Sequence, residues 1–246
     1  MNILHFILGK ANPDRANGVN QVIHGLAKYQ SRAGHDVHVV GISSSMTTPY
    51  EKIQREDFEV ECFKKFNSKT FTYIKELVKN IDIVHLHGVW NMKNVRLGRY
   101  LETIEKPYII TAHCGYALDR IKQSNYLLKL LYHKIWQKKL YEHAAGIHAL
   151  TREESTDIYH FCKNENIFVV TNGVDPDTYD KYHYTVHKER KKIKFGYLGR
   201  LSVEKNIDNL LKAISLLPNK VKEQIELCLI GPITDSVVKL QKLTRE

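Results

Sequence analysis

Cysteine is scarce: the 246 residues hold four, Cys62, Cys114, Cys162 and Cys228, and none forms a Cys-x-x-Cys pair. That argues against a zinc knuckle or a redox motif, and the wide spacing fits free thiols in a reducing compartment. With 6 prolines and 13 glycines, the composition excludes collagen-like and disordered classes. No stretch approaches the ~18 apolar residues of a membrane span. The start, MNILHFILGKANPD, carries only a short apolar stretch containing His5, without the basic opening or small-residue cleavage site of a secretory signal. A soluble cytoplasmic protein is the expectation. The P-loop pattern G-x-x-x-x-G-K-S/T is absent, and no G-x-G-x-x-G follows the first strand, which weakens a nicotinamide-dehydrogenase reading.

What is present is an ordinary globular balance, 43% apolar and 26% charged, in a chain long enough to bury its own core. Lys and Arg number 37 against 27 Asp and Glu, a net charge of +10 that favours anionic partners. Short β-branched runs alternate with longer amphipathic stretches. Strands are expected at 3–8, 36–42, 82–86, 108–112, 146–150 and 167–170. Helices are expected at 18–33, closed by Gly34, at 92–104, at 125–143 and from Thr151, where Glu154 completes a capping box. Such alternation predicts an α/β fold with a parallel sheet covered on both faces. Residues 43–71 read as variable loops.

The rhythm breaks at 181–194, KYHYTVHKERKKIK, with six basic residues against Glu189 alone. It then restarts with strands at 194–198 and 225–230 and helices at 204–217 and 235–243. The expected organisation is an N-terminal Rossmann-like domain over 1–180, a basic linker over 181–193 and the first part of a second domain over 194–246.

In open α/β sheets, ligands sit beyond the carboxyl ends of strands, near helix N-termini. Four segments of this chain hold that position. Asn17-Gly18 opens the first helix, where glycine lets an anion approach the free N–H groups. His85-Leu86-His87-Gly88 ends one strand, and Thr111-Ala112-His113-Cys114-Gly115 ends the next. A histidine at such an edge can bond a hydroxyl or move a proton near neutral pH. His85 and His87 also form a His-x-His pair, but no carboxylate cluster joins them, so no metal is expected. The fourth segment, Gly196-Tyr197-Leu198-Gly199-Arg200, leads on to Glu204-Lys205-Asn206. Arg200 offers a guanidinium fork to a diphosphate, and Lys205, in the expected first turn of a helix, a point charge.

Taken together, Gly-Arg-Leu-x-x-Glu-Lys-Asn before a Leu/Ala-rich helix, and Asn172-Gly173-Val174-Asp175 upstream, resemble the group 1 (family 4) retaining glycosyltransferases. His87-Gly88, Thr111-Ala112-His113 and Ala149-Leu150-Thr151-x-x-Glu154 follow in the order of that family's first domain. The ordered set spans essentially the whole chain. The resemblance implies a GT-B architecture of two Rossmann-like domains. It also implies transfer from a UDP- or GDP-linked sugar to an acceptor hydroxyl, with retention and with no metal or other cofactor. Arg200 and Lys205 would hold the donor diphosphate, with Gly18 against it. His113 would lie beside the transferred sugar as the catalytic candidate. Asn17, His87, Gly88, Asn172 and Gly173 would line the cleft or the acceptor site. Surface polysaccharide, lipopolysaccharide or glycolipid assembly is the implied setting, with a glycan or lipid-linked acceptor.

The family's Glu-x₇-Glu segment, deeper in the second domain, is not reached by Glu246. The expectation is therefore that this 246-residue piece does not itself transfer sugar. A non-catalytic sugar- or partner-binding remnant of the fold is the alternative. Specific nucleic-acid binding has only the net charge behind it, since no helix-turn-helix, zinc or ribonucleoprotein signature appears. Peripheral contact with anionic membrane is a further expectation. Over 119–142, Leu128, Tyr132, Trp136 and Leu140 recur at i+4, and six basic residues face two acids.

Overall fold

The computed structural model describes residues 1–12, 18–122, 125–174, 192–202, 205–232 and 240. Asn17, most of the expected linker and nearly all of the expected last helix lie outside them. The chain divides into two compact units, Met1–Asp175 and Pro176–Glu246.

The first unit is built on one eight-stranded sheet with the order β3-β4-β2-β1-β5-β6-β7-β8. Its central strands are β1 (Asn2–Ile7), β2 (Asp36–Ile42), β5 (Ile83–His87), β6 (Tyr108–Thr111) and β7 (Gly146–Ala149), with β8 (Ile167–Val169) at one edge. All of these pair in parallel. β1 lies between β2 and β5, so the chain winds outward in one direction and then in the other. The β1/β5 boundary is therefore the topological switch point, where such sheets open a crevice for ligands.

Helix α1 (Gly18–Arg32) spans the interval the periodicity predicts, and Gly34 follows with a φ of 86°, a conformation glycine adopts without strain. On its face of the sheet, Ile23 and Ala27 pack with Ile7, Val37, Val39 and Val60. The larger core lies on the other face. There α2 (Ser68–Val78), α3 (Met92–Thr103) and α7 (Arg152–Phe161) pack against Leu4, Phe6, Val84, Leu86, Ile110 and Ile147.

Residues 43–71 depart from expectation. They contain β3 (Tyr50–Gln54), β4 (Glu59–Phe63) and the start of α2, and β3 runs antiparallel to β4, so the sheet is mixed. The stretch 43–67 between β2 and α2 is long enough for a hairpin, and the bond from Arg55 N–H to Phe58 O closes its turn. The long helix expected at 125–143 is divided into α5 (Tyr126–Tyr132), a π-helical turn over His133–Gln137, and α6 (Lys138–Glu142), preceded by the short α4 (Leu118–Lys122).

In the second unit, β9 (Ile193–Leu198) and β10 (Ile225–Ile230) pair in parallel, with α8 (Ile207–Ser215) and α9 (Asn219–Lys222) between them. Leu201, Ile207 and Leu240 form a small core. Leu198 is 82% exposed, and Phe195 and Ile230 are exposed as well.

Candidate active site

Five polar side chains replace apolar ones along a single face of the sheet. Register pairs His5 with His85, His87 with Thr111, and Thr111 with His148, so all five point to the α1 side of strands β1, β5, β6 and β7. Each is buried, with at most 7% of its surface exposed. Buried polar groups are costly unless bonded, and these are bonded to one another.

Two hydrogen-bonded chains run through them. In the first, His113 Nε2 meets His87 Nδ1 at 3.1 Å, His87 Nε2 meets His5 Nδ1 at 3.0 Å, and His5 Nε2 meets Gln30 Oε1 of α1 at 2.7 Å. In the second, His85 Nε2 meets Thr111 Oγ1 at 2.7 Å, Thr111 Oγ1 meets His148 Nδ1 at 2.9 Å, and His148 Nε2 meets the Val170 carbonyl at 2.8 Å. A carbonyl oxygen only accepts, which fixes the direction of both chains when each histidine is neutral. His5 carries its proton on Nε2, so its Nδ1 must accept from His87, and His87 Nδ1 must in turn accept from His113. His113 is then the Nε2–H tautomer, with the lone pair left on Nδ1.

Neutrality follows from burial. Desolvation lowers the pKa of His5 to about 4, against a partial upward pull from Gln30. Burial, aided by the nearby His148, lowers His113 to about 4. His85 and His87 are driven well below the ordinary histidine value, again chiefly by burial and secondarily by the neighbouring histidines.

His5, His85 and His87 also present nitrogens within 4.8 Å of one another, the spacing of a metal triad. Two of those nitrogens, on His5 and His87, are bonded to each other, and the His85 and His87 rings lie 3.9 Å apart at a tilt of 30°. The arrangement is that of a hydrogen-bonded relay.

The loop carrying His113 is held in an uncommon conformation. His113 and Cys114 have φ values of 53° and 59°, left-handed for two successive non-glycine residues. That costs roughly 1–2 kcal/mol per residue and needs compensation from the surroundings. The buried carboxylate of Glu154 supplies it. One oxygen accepts from Cys114 N–H and the other from Leu150 N–H at 2.7 Å. Thr151 Oγ1 caps α7 by accepting from Glu154 N–H, but the Glu154 carboxylate reaches Cys114 and Leu150, so only half of the expected capping box forms. Across the site, Gly88 has a φ of 85°, and Asn94 Nδ2 on α3 donates to the carbonyls of His87 and Gly88. Trp90 Nε1 donates to Gly115 O and ties the two loops together.

Gly18 begins α1, and a side chain added there would meet nothing within 4 Å. Asn172 and Gly173 are exposed beyond β8. In the second unit, Gly199 follows β9 and its N–H donates to Ile230 O. A Cβ on Gly231 would fall 1.8 Å from the Gly199 carbonyl oxygen, so the strand ends approach as only glycine permits. Tyr197 Oη donates to the Arg200 carbonyl at 3.0 Å. Lys205 is exposed but does not lie in the first turn of α8. Asn206 intervenes with a φ of 54°, a left-handed residue that delays the helix until Ile207. Lys205 N–H donates to Ser202 O in a turn ahead of the helix.

Residues 16–178 match the family model Glycosyltransferase Family 4, and residues 180–246 match Glycosyl transferases group 1. The chain belongs to glycosyltransferase family 4. Among solved structures, sucrose-phosphate synthase from Thermosynechococcus elongatus is 15% identical with a TM-score of 0.70, over 99% of this chain and 68% of that one. WaaG, a glycosyltransferase involved in lipopolysaccharide biosynthesis, is 16% identical with a TM-score of 0.65, over 98% and 67%. Anabaena Alr3699/HepE in complex with UDP is 16% identical with a TM-score of 0.69, over 100% and 66%. These likenesses establish the GT-B fold, and the chain spans about two thirds of each structure. No curated protein sequence matches.

Of the residues singled out in this family 4 chain, the structure joins His87, Gly88 and His113 in one site of the first unit. Arg200 and Lys205 lie in the second unit. His5, Gln30, Thr111, His148, Asn94 and Glu154 also belong to the first unit's site, as parts that support it.

Proposed function

We propose that the protein transfers a sugar, of hexosyl type, from a UDP- or GDP-linked donor to an acceptor hydroxyl, with retention at the anomeric carbon and without a metal. The observation that carries this reading within the family is the relay that crosses the sheet's switch point from His5 to His87 and ends on His113 beyond β6. Retaining transfer builds positive charge at the anomeric carbon and negative charge on the leaving phosphate. An imidazolium beside that carbon would oppose the reaction. A neutral His113 does not, and its Nδ1 lone pair can accept from a sugar hydroxyl. His87, His5 and Gln30 act as positioning residues that fix the tautomer. Anabaena Alr3699/HepE was solved with UDP-glucose, which supports a nucleotide-sugar partner.

On this reading Arg200 and Lys205 hold the donor diphosphate and Gly18 approaches it, while the donor sugar needs further contacts. Lys205→Ala is expected to weaken UDP or GDP binding by roughly 1–3 kcal/mol, the range of a charge-assisted hydrogen bond. Calorimetric titration of both proteins checks it. Equal affinities would remove Lys205 from the site.

The setting we propose is surface polysaccharide or glycolipid assembly at the cytoplasmic side of a membrane, with a glycan or lipid-linked acceptor. Among the described residues no helix is long and apolar enough to cross a membrane. The i+4 series divides in the structure. Leu140 is buried, and Tyr132 and Trp136 pack on the core. Leu127, Leu128 and Leu131 on α5 are 77%, 65% and 53% exposed, and Ile135 is exposed one turn later. Lys129, Lys134, Lys138 and Lys139 flank this patch, the combination that lies on anionic lipid. Sedimentation with phosphatidylglycerol vesicles should recover the protein, phosphatidylcholine vesicles should not, and Leu127→Asp with Leu128→Asp should release it. Equal recovery with both lipids would contradict the contact.

A further inference from the structure

A groove of about 1120 Å³ opens in the first unit between the ends of β1 and β2 and the helices α2 and α3. Its wall carries Lys64, Lys65, Lys75, Lys93, Arg96 and Arg99, and no aspartate or glutamate lines it. Among the described residues, none of these six cations forms an ion pair, although ten other pairs occur. Six of the charges behind a net of +10 are thus gathered in one concavity without counter-charges. Like charges brought together repel, and the cost persists unless an anion relieves it.

Two of the cations are held in place. The Arg96 guanidinium lies 4.2 Å from the Phe71 ring centre and 5.7 Å from that of Phe66. Lys75 Nζ lies 4.6 Å from the Tyr100 ring centre and 5.1 Å from that of Phe71. Phe66, Phe71 and Tyr100 are packed edge to face, so the aromatic floor is rigid. Ser43, Ser44 and Ser45, beyond β2, add hydroxyl groups at the opposite rim. Neither His113 nor Gly18 nor Gly88 lines this groove, whereas Gly9 at the exit of β1 and Asn20 near the start of α1 do, at the same carboxyl edge of the sheet.

We propose that this groove binds the phosphate group of a phosphorylated acceptor, with Arg96 and Arg99 gripping the phosphate and the serine hydroxyls of the opposite rim meeting the attached sugar. Guanidinium forks suit phosphate oxygens, and serine hydroxyls can donate to and accept from the hydroxyl groups of a sugar ring. Calling the occupant an acceptor rests on the transferase reading above, while the phosphate site stands on the groove alone.

Calorimetric titration of glucose 6-phosphate into the chain tests this, with glucose, inorganic phosphate and UDP titrated in parallel. Glucose 6-phosphate should bind at least ten-fold more tightly than glucose, and increasingly weakly as salt rises. Arg96→Gln with Arg99→Gln should weaken it at least ten-fold while UDP affinity stays within two-fold. Lys64→Gln with Arg99→Gln, which leaves the aromatic contacts intact, should weaken it similarly, and circular dichroism melts verify that both variants fold. If inorganic phosphate binds equally well and responds to the same variants, the site takes phosphate alone, and the sugar-bearing half of the proposal falls. Phosphatidic acid vesicles form the last arm. Loss of vesicle binding in the arginine variant, with no glucose 6-phosphate binding, would assign the phosphate to a lipid headgroup and uphold the site. Unchanged binding of every probe in both variants would overturn it. A failure of UDP to bind would count against the transferase reading and leave the groove's own result standing.

Discussion

In any preparation of the protein that transfers sugar, His113→Ala is expected to lower kcat by about 10²–10³-fold, within the range for loss of a positioned proton-transfer or hydrogen-bonding side chain. Nucleoside diphosphate affinity should stay within two-fold, because Arg200 and Lys205 belong to the other unit. His87→Leu should give a smaller loss. It removes the acceptor for His113 Nε2–H, so His113 is free to sample the other tautomer. Its signature is the appearance of the Nδ1–H tautomer of His113 in long-range ¹H–¹⁵N correlation, which a merely structural role would not produce. Steady-state kinetics over pH, with direct UDP titration, separates these outcomes. An unchanged kcat in His113→Ala would return that residue to a structural role.

Acid should destabilise the first unit through the same histidines. In the unfolded chain each titrates near 6.5, whereas His5 and His113 are held at about 4 in the fold and burial drives His85 and His87 well below the ordinary value as well. Below pH 6.5 the unfolded chain takes up protons that the folded chain refuses. Their contribution is therefore complete above about pH 7 and is lost as the pH falls from 6.5 towards 4. For His5 and His113 a shift of that size corresponds to about 3 kcal/mol each at the lower end. Urea unfolding at a series of pH values between 7.5 and 4.5 measures it, and His5→Gln should flatten part of the slope. Stability that stays level over this interval would contradict the neutral network.

The framework of this fold is legible because its signals are local. Alternating apolar runs and amphipathic stretches mark α1, α3 and the central strands nearly to the residue, and Gly34 and Thr151 mark helix ends through their own backbone chemistry. The β3–β4 hairpin is not legible. Its edge strand, Tyr50–Gln54, is mostly exposed and polar, so it lacks the apolar period that betrays a strand. The start of α8 is displaced because Asn206 adopts a left-handed conformation, which asparagine permits but does not announce.

The site is half legible for a related reason. His87 and His113 stand beside glycines at strand ends, where sheet topology draws the eye. His5, His85 and His148 sit at inward positions inside buried strands, and only pairing in register shows that they share one face. The trace they leave in sequence is a histidine interrupting three otherwise apolar strands, NILHFI, IVHLH and GIHA. Glu154 is visible as a helix-start residue, but its bond to Cys114 joins positions 40 residues apart and comes only from tertiary packing.

The state of the imidazole rings at neutral pH tests the account most directly. Long-range ¹H–¹⁵N correlation on the 246-residue chain distinguishes the two neutral tautomers and the imidazolium of each histidine. At pH 7, His5, His87 and His113 should each show a protonated Nε2 and a bare Nδ1, and should keep that pattern down to about pH 5. A positively charged His113 at pH 7, or a proton on the Nδ1 of His87 or His113, would contradict the relay and the role assigned to its last member.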